Sequence, residues 1–229
     1  SGIIGGALPA TLGLAAAGFV VAVAGALLLA VLTAWTKAPW LRRLLSSLPG
    51  LGLGMPPYII GPLLVMVFSF GLQWLPSSGS RTSAALVLPA VTVAIVPGAM
   101  MAQVLIASLE NALAQPYATT ATAKGAGRLR TVVVHCLRNA LMPAMAIGGV
   151  VVGTLIAGSV VGEMIFSRAG LGRVMLDAVS NVDLPVVQGV ALVGAVTVVV
   201  VGLLVDLLNP LLDARLRTPS RRAALVGAL

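Results

Sequence analysis

The stretch ATAKGAGRLRTVVVHCLRNALMP, residues 121–143, is a cation-rich run between two long apolar segments. The whole chain is 59% hydrophobic and only 9% charged, with a mean hydropathy of +1.09. Soluble globular domains do not have this composition. The sequence therefore predicts an integral membrane protein in which residues 121–143 belong largely to a connection outside the membrane.

Charged residues divide the rest of the chain into five apolar intervals, each long enough to cross a bilayer as a helix of about 20 residues. Helices are expected because every backbone amide in hydrocarbon needs an internal partner, and the alternating pattern of a barrel strand is absent. We predict one all-α, polytopic transmembrane domain over 1–229. Its spans lie at about 9–34, 56–74, 84–108, 139–161 and 185–208, with a polar connection at 111–138.

The basic residues fall on one side of this predicted topology. All but three of the 14 Lys and Arg residues lie in the first loop, the 111–138 connection or the C-terminal tail. The exceptions are Arg81, Arg168 and Arg173. Basic loops stay in the cytoplasm, so we predict a cytoplasmic C-terminus and a further helix upstream of Ser1. Membrane lipid accounts for the positive charge, and no nucleic-acid partner is expected.

Small residues and prolines mark the interiors of three spans. Gly149, Gly153 and Ala157 are four residues apart, a spacing that lets two helix backbones approach closely and that predicts a central packing helix. Prolines in the second and third spans predict kinks, which serve either helix packing or the lining of a passage. They are Pro56, Pro57, Pro62, Pro89 and Pro97.

The connection between the fourth and fifth spans is moderately polar. It contains Glu163, Arg173 and Asp183. These charges lie on the predicted external side. We therefore predict that they form an outer gate or contact an external protein, with simple packing over the entrance as the alternative.

The 111–138 connection contains the signals of a short helix. Pro116 suits the first helical turn, and Gly125 can end a helix in the left-handed conformation. The residues between them are mostly alanine and threonine. Such a helix has little side-chain bulk, so it can seat in a groove of another protein.

This connection resembles the cytoplasmic coupling loop of ABC-transporter permease subunits of the binding-protein-dependent import class, in particular the dipeptide/oligopeptide branch. The matching residues are Tyr117, Thr120, Ala121, Ala123, Lys124 and Gly125, followed 18 residues after the glycine by Pro143 in LRNALMP. Further segments are similar to the family at 8–15, 74–79, 170–189 and 203–217. The chain departs from the general Glu-Ala-Ala motif, since Thr119, Thr120 and Ala121 stand at those positions.

The resemblance implies a type I ABC importer permease fold in a bacterial inner membrane, forming half of a translocation path for di- or oligopeptides. It implies a second homologous permease, two cytoplasmic ATPase subunits or domains, and an extracytoplasmic solute-binding protein. The ATPases would dock on Tyr117, Ala118, Thr119, Thr120, Ala121, Ala123, Lys124 and Gly125.

ATP and Mg²⁺ would then bind to those partner subunits. This chain has no phosphate-binding loop, so neither enzymatic activity nor a cofactor, metal or catalytic residue is expected in it. Two alternatives stay open at this stage. One is a permease for nickel or another small solute, and the other is a membrane scaffold without a transport role.

Overall fold

The computed structural model describes residues 2–79 and 82–212, and within these ranges every regular element is helical. The predicted C-terminal tail and Arg81 lie outside the described residues. The elements in chain order are α1 (Gly2–Trp35), α2 (Pro39–Gly54), α3 (Pro57–Leu64), the π-helical segment π1 (Val65–Gly71), α4 (Ala84–Leu113), α5 (Pro116–Ala123), α6 (Arg128–Arg130), the π-helical segment π2 (Thr131–Cys136), α7 (Leu137–Ala146), α8 (Gly148–Ile165), α9 (Leu171–Ser180) and α10 (Leu184–Leu212).

Four helices of the described chain are long and apolar enough to cross a membrane, namely α1, α4, α8 and α10. A fifth crossing results when α2 and the α3–π1 pair are taken as one bent span. The number of spans therefore agrees with the prediction. The first, third and fifth spans are longer than predicted, because α1, α4 and α10 all extend beyond the predicted ranges of 9–34, 84–108 and 185–208.

The pair α1 and α4 forms the centre of the bundle. Ala22 and Ala30 of α1 are buried, and a Cβ added to Gly98 of α4 would lie 3.2 Å from the Cα of Ala22. In lipid this close approach matters, since van der Waals contact rather than exclusion from water holds helices together. α8 packs on the same pair through Val151 and Leu155, which are buried in a shared core.

The predicted second span, 56–74, covers α3 and π1, and a further helix, α2, precedes it. α2 already packs along α4. The guanidinium of Arg42 lies 2.8 Å from the carboxylate of Glu110 near one end of α4, and a Cβ on Gly52 would lie 3.1 Å from that of Ala99, nearer the helix centre. The chain then turns by 107° between α2 and the α3–π1 pair.

The prediction treated residues 35–55 as a loop because Arg42 and Arg43 lie there. Arg42 finds its partner 68 residues away at Glu110, a contact that no local pattern reveals. Pro56 and Pro57 break this span, whereas α4 runs unbroken through Pro89 and Pro97.

The fourth span also differs from its predicted range of 139–161. The helical chain begins at Arg128, passes through π2 and α7, stops at Ile147 and resumes as α8 up to Ile165. Gly148 and Gly149 follow the stop, and glycine is a poor helix former. The predicted 111–138 connection is therefore mostly helical, and only α5 with its flanking turns separates α4 from α6.

The far end of the bundle is formed by α9 and the start of α10. After α8 the chain reverses through Ser167, which has a φ of +50°, and α9 then begins at Leu171. α9 packs against α1, α8 and α10. This arrangement places a short amphipathic helix across one end of the bundle.

Candidate functional site

α5 is a short helix with a well-defined end. It begins at Pro116 after the extended Gln115. Gly125 follows it with a φ of +85°. The amide of Gly125 donates to the carbonyl oxygen of Thr122 at 2.9 Å, and that of Ala126 donates to the carbonyl oxygen of Ala121 at 3.1 Å. These are the two bonds of a Schellman cap, so the glycine predicted to end this helix does end it.

α5 has one buried face and one exposed face. Ala118 and Ala121 are buried, and Ala118 belongs to the same core as Val132 and Cys136. The hydroxyls of Thr120 and Thr122 donate to carbonyl oxygens of their own helix, so their oxygens could only accept a hydrogen bond from a partner. The remaining residues of the predicted docking set are exposed, namely Tyr117, Thr119, Thr120, Ala123, Lys124 and Gly125.

Polar contacts hold the surroundings of α5 to the bundle. The side-chain amide of Asn139 donates to the Tyr117 hydroxyl at 3.2 Å. The Nε of Arg128, just beyond the cap, donates to the carbonyl oxygen of Ala34 at 2.8 Å. Ala34 lies in the last turn of α1, where unpaired carbonyls favour a cation. Sequence reasoning missed this role of Arg128, and only its place three residues after the helix-ending Gly125 hinted at it.

A second group of polar residues lies where α8 meets α9; we call residues 163–172 the α8–α9 corner. Glu163 is fully buried, and its Oε2 accepts a hydrogen bond from the amide of Gly172 at 2.7 Å. The hydroxyl oxygen of Thr11 in α1 accepts one from the amide of Leu171 at 3.0 Å. Arg168 donates to the carbonyl oxygens of residues 79 and 85 at 3.2 and 3.3 Å. The corner thus joins α1, α4, α8 and α9.

Two glycines make the corner possible. A Cβ on Gly170 would overlap the Glu163 carboxylate, and one on Gly172 would overlap the carbonyl oxygen of Val160. The first turn of α9 therefore approaches α8 so closely that its backbone amides reach the buried carboxylate. Such amides at a helix N-terminus are suited to a negative charge.

The structure does not bring the three predicted gate residues into one cluster. Glu163 is buried in the corner, where it has no surface for an external protein in this conformation. Arg173 lies 3.3 Å from Asp177 in an exposed pair within α9. Asp183 accepts a hydrogen bond from the amide of Val186 at 3.3 Å, at the start of α10. Their role at an entrance stays a prediction.

The predicted packing stripe on α8 faces two directions. A Cβ on Gly153 would lie 3.6 Å from Val198 of α10, and Gly149 is half-buried, whereas Ala157 is exposed. The closest contact on α8 is at Gly162, where a Cβ would lie 2.8 Å from Val93 of α4. The exposed part of the stripe is open to a helix from another subunit.

Comparison with known proteins matches residues 26–218 to the family described as "Binding-protein-dependent transport system inner membrane component". The chain belongs to this family. Among its relatives is the dipeptide transport system permease protein DppB of Bacillus subtilis, 33% identical over 209 residues, which cover 91% of this chain and 68% of the relative.

Other members of the binding-protein-dependent family are glutathione transport system permease proteins. GsiC of Pectobacterium atrosepticum is 35% identical over 187 residues, and GsiC of Escherichia coli K12 is 34% identical over the same length. The matched part is 82% of this chain and 61% of those relatives, so the chain spans about three-fifths of their length.

A solved structure supports the fold of this inner membrane component. The crystal structure of an amino acid ABC transporter with histidines matches 90% of this chain and 92% of the solved chain, with a TM-score of 0.66 and 17% identity. The predicted type I importer permease fold is confirmed. The family is one of transport components of the membrane, not of enzymes.

Proposed function

We propose that this chain is a permease subunit of an ATP-driven importer for di- or oligopeptides. It pairs with a second homologous permease to form the path across a bacterial inner membrane, with its C-terminus in the cytoplasm. The names of the relatives support the peptide substrate, since dipeptides and glutathione are both peptides. The exposed residues of α8 face the second permease or the path between the two subunits.

The observation that carries the coupling role is the geometry of α5. One face is buried on the bundle through Ala118 and Ala121, and the opposite face presents short side chains, together with Tyr117 and Lys124, to a partner. We assign this exposed face to the groove of an ATPase subunit, which binds ATP and Mg²⁺. Two ATPase subunits or domains would serve the two permeases.

Coupling then follows from packing. Closure of the ATPase pair displaces α5, and Ala118 transmits the displacement to Val132 and Cys136 of π2, with which it shares a core. π2 continues directly into α7, which leads to α8. The ATPases can shift the equilibrium between two permease conformations only if they bind one conformation more tightly than the other. Because α5 is fixed to the bundle, the position of its exposed face would change with the conformation, and this change would provide the difference in affinity.

The other end of the bundle faces the solute-binding protein in this proposal. α9 lies across this end and presents the exposed Arg173–Asp177 pair. Glu163 holds the first turn of α9 from inside the bundle. The α8–α9 corner thus acts as part of an outer gate, and the exposed side of α9 is the surface available to the delivered substrate and its carrier.

Reconstitution tests this function. The full chain would be placed in proteoliposomes with its partner permease, its ATPases and its binding protein, and ATP hydrolysis would be measured with dipeptides, oligopeptides and Ni²⁺. Stimulation by peptides, lost when the binding protein is omitted, is the expected result. Stimulation by Ni²⁺ alone would favour the small-solute alternative, and the absence of any co-purifying ATPase would favour the scaffold.

A further inference from the structure

Four cations surround a cavity of about 470 Å³ at the end of the bundle that carries α5. Among the described residues they are Lys37, Arg42, Arg43 and Arg128, and Glu110 is the one carboxylate in this part of the lining. Arg42 pairs with Glu110 and the Nε of Arg128 is bound to Ala34, but within the described residues the side chains of Lys37 and Arg43 have no hydrogen-bond or ion-pair partner. We call this the charged cavity.

A second cavity, of about 230 Å³, lies between α1, α2 and α4 and is lined almost entirely by apolar atoms. Its lining includes Gly25 and Leu29 of α1, Pro49 of α2, and Ala102 of α4. We call this the apolar cavity. It is open on one side, because Gly25 is exposed and a Cβ added there would meet nothing within 4 Å.

The two cavities lie along one seam. On α2 and α4, residues that line the charged cavity and residues that line the apolar cavity are at spacings that share a helix face. The pairs are Ser46 with Pro49 on α2 and Ala102 with Glu110 on α4, and Thr36 of the charged cavity directly follows the end of α1. From the helical rise along α1, the apolar cavity lies about 10 Å deeper than the charged one.

A charged cavity at one end of the seam and an apolar cavity further along it suit one kind of ligand. A ligand for the seam carries an anionic group at the membrane surface and a hydrocarbon chain about 10 Å further in, within the roughly 15 Å half-thickness of a bilayer core. Trp35 and Trp40, which are 49% and 69% exposed, flank the connection at the charged end, as tryptophans do at the lipid headgroup level. Basic clusters between membrane helices bind anionic headgroups.

We infer that this seam is a binding site for one anionic phospholipid. The phosphate of the lipid lies in the charged cavity against Lys37 and Arg43, and one acyl chain lies in the apolar cavity over Gly25. The site is distinct from the exposed face of α5, and it does not depend on which solute the transporter carries.

Lipid binding to the purified complex tests the site. Phosphatidylglycerol and phosphatidylcholine of identical chains would be titrated into the delipidated complex in detergent and the bound lipid counted by native mass spectrometry. We expect tighter binding of phosphatidylglycerol. The Lys37→Gln/Arg43→Gln variant is expected to weaken the binding of phosphatidylglycerol about five-fold for each cation removed and to leave the binding of phosphatidylcholine unchanged. Arg130→Gln/Arg138→Gln is the matched control, because both of these arginines are exposed and outside the lining.

The apolar end has its own variant. Gly25→Leu adds a side chain at the open edge of the apolar cavity, where its Cβ would meet nothing within 4 Å, and it also favours the helix. It is expected to weaken lipid binding several-fold. Gly13→Leu is the control, since it also adds a leucine to α1 in open space but outside the cavity.

Four results would overturn the proposal. Equal weakening by the two double variants would indicate only diffuse surface charge. Displacement of the lipid by soluble glycerophosphate at equal concentration would indicate a site for a free phosphate ester. If Gly25→Leu had no effect on lipid binding, the acyl chain would not lie in the apolar cavity. If lipid bound only after the ATPases were removed, the charged cavity would instead be the contact for an acidic surface of those subunits.

Discussion

The carboxylate of Glu163 has no exposed surface, yet it is one of the few charged groups near the apolar spans. A buried charge without hydrogen bonds is strongly unfavourable. Here the Gly172 amide donates to Oε2 at the N-terminus of α9 and offsets part of this cost, while Oε1 has no hydrogen-bond partner among the described residues. Each group needs the other, because the Gly172 amide would have no hydrogen-bond acceptor without the carboxylate. Glu163 is therefore a structural link between α8 and α9.

Replacement of Glu163 is expected to destabilise this corner. Glu163→Ala leaves the Gly172 amide buried without an acceptor, which costs about 1–3 kcal/mol. Glu163→Gln retains an acceptor oxygen and is expected to lose less. Thermal unfolding of the purified protein measures both. Asp177→Ala, which removes an exposed carboxylate from α9, is the control with a change near zero. Equal unfolding temperatures for Glu163→Ala and Asp177→Ala would contradict this role.

At the scale of the element, α5 combines a fixed start and a fixed end in eight residues. An isolated helix of this length is not stable in water, so its conformation depends on the burial of Ala118 and Ala121 and on the cap at Gly125. Any change that weakens the cap alters the shape that a partner groove receives. The exposed face combines short side chains with the larger ones of Tyr117 and Lys124.

Gly125→Val is expected to uncouple ATP hydrolysis from peptide uptake. No atom would block the new side chain, but a φ of +85° costs a β-branched residue about 1–2 kcal/mol or more. The backbone would then leave the left-handed conformation and release the cap. ATPase activity and uptake would be measured in the same proteoliposomes. Gly125→Asn is the control, because asparagine tolerates this conformation; normal uptake by Gly125→Val would refute the prediction.

At the scale of the whole molecule, the described structure places different chemistry at its two ends. The charged cavity and α5 lie at one end of the bundle, and the α8–α9 corner lies near the N-terminal part of α1, which Leu171 contacts through Thr11. The distribution of basic residues predicts that the α5 end is cytoplasmic. An inverted insertion would separate α5 from every nucleotide-hydrolysing partner.

Cysteine labelling in whole cells tests the orientation. In a Cys136→Ala background, Gln115→Cys is expected to react with a membrane-permeant maleimide and not with an impermeant one. Asn181→Cys, beyond the end of α9, is expected to react with both. Both positions are exposed, so burial does not limit the reaction. Labelling by the impermeant maleimide at Gln115→Cys and not at Asn181→Cys would show that the topology is the opposite of the predicted one.

Local signals in the sequence predicted the local features of this structure. Long charge-free intervals indicated the spans, and Pro116 with Gly125 indicated α5 and its end. The missed helix α2 also carried a local signal, because Pro39 stands at its first turn and leucines recur at helical spacing after it. The prediction nevertheless placed a loop there, because Arg42 and Arg43 lie in this segment.

Contacts between distant residues could not be predicted in the same way. Arg128 reaches a carbonyl oxygen 94 residues away, and the amide of Leu171 reaches a hydroxyl 160 residues away at Thr11. Hydrophobic periodicity describes which face of one helix is apolar, and it contains no information on which other helix that face meets. The break at Ile147 differs, because Gly148 and Gly149 directly after it are a local signal for the end of a helix.

The hydrogen bonds at the two ends of α1 have a mechanical consequence. Ala34, at one end, accepts a hydrogen bond from Arg128 beside α5, and Thr11, near the other, accepts one from the first turn of α9. The 23 helical steps between them measure about 35 Å along a nearly incompressible rod. We expect an axial displacement of α1 to change the hydrogen bonds at both of its ends. Distances measured between spectroscopic labels on α1 and on its neighbouring helices would report such a displacement directly.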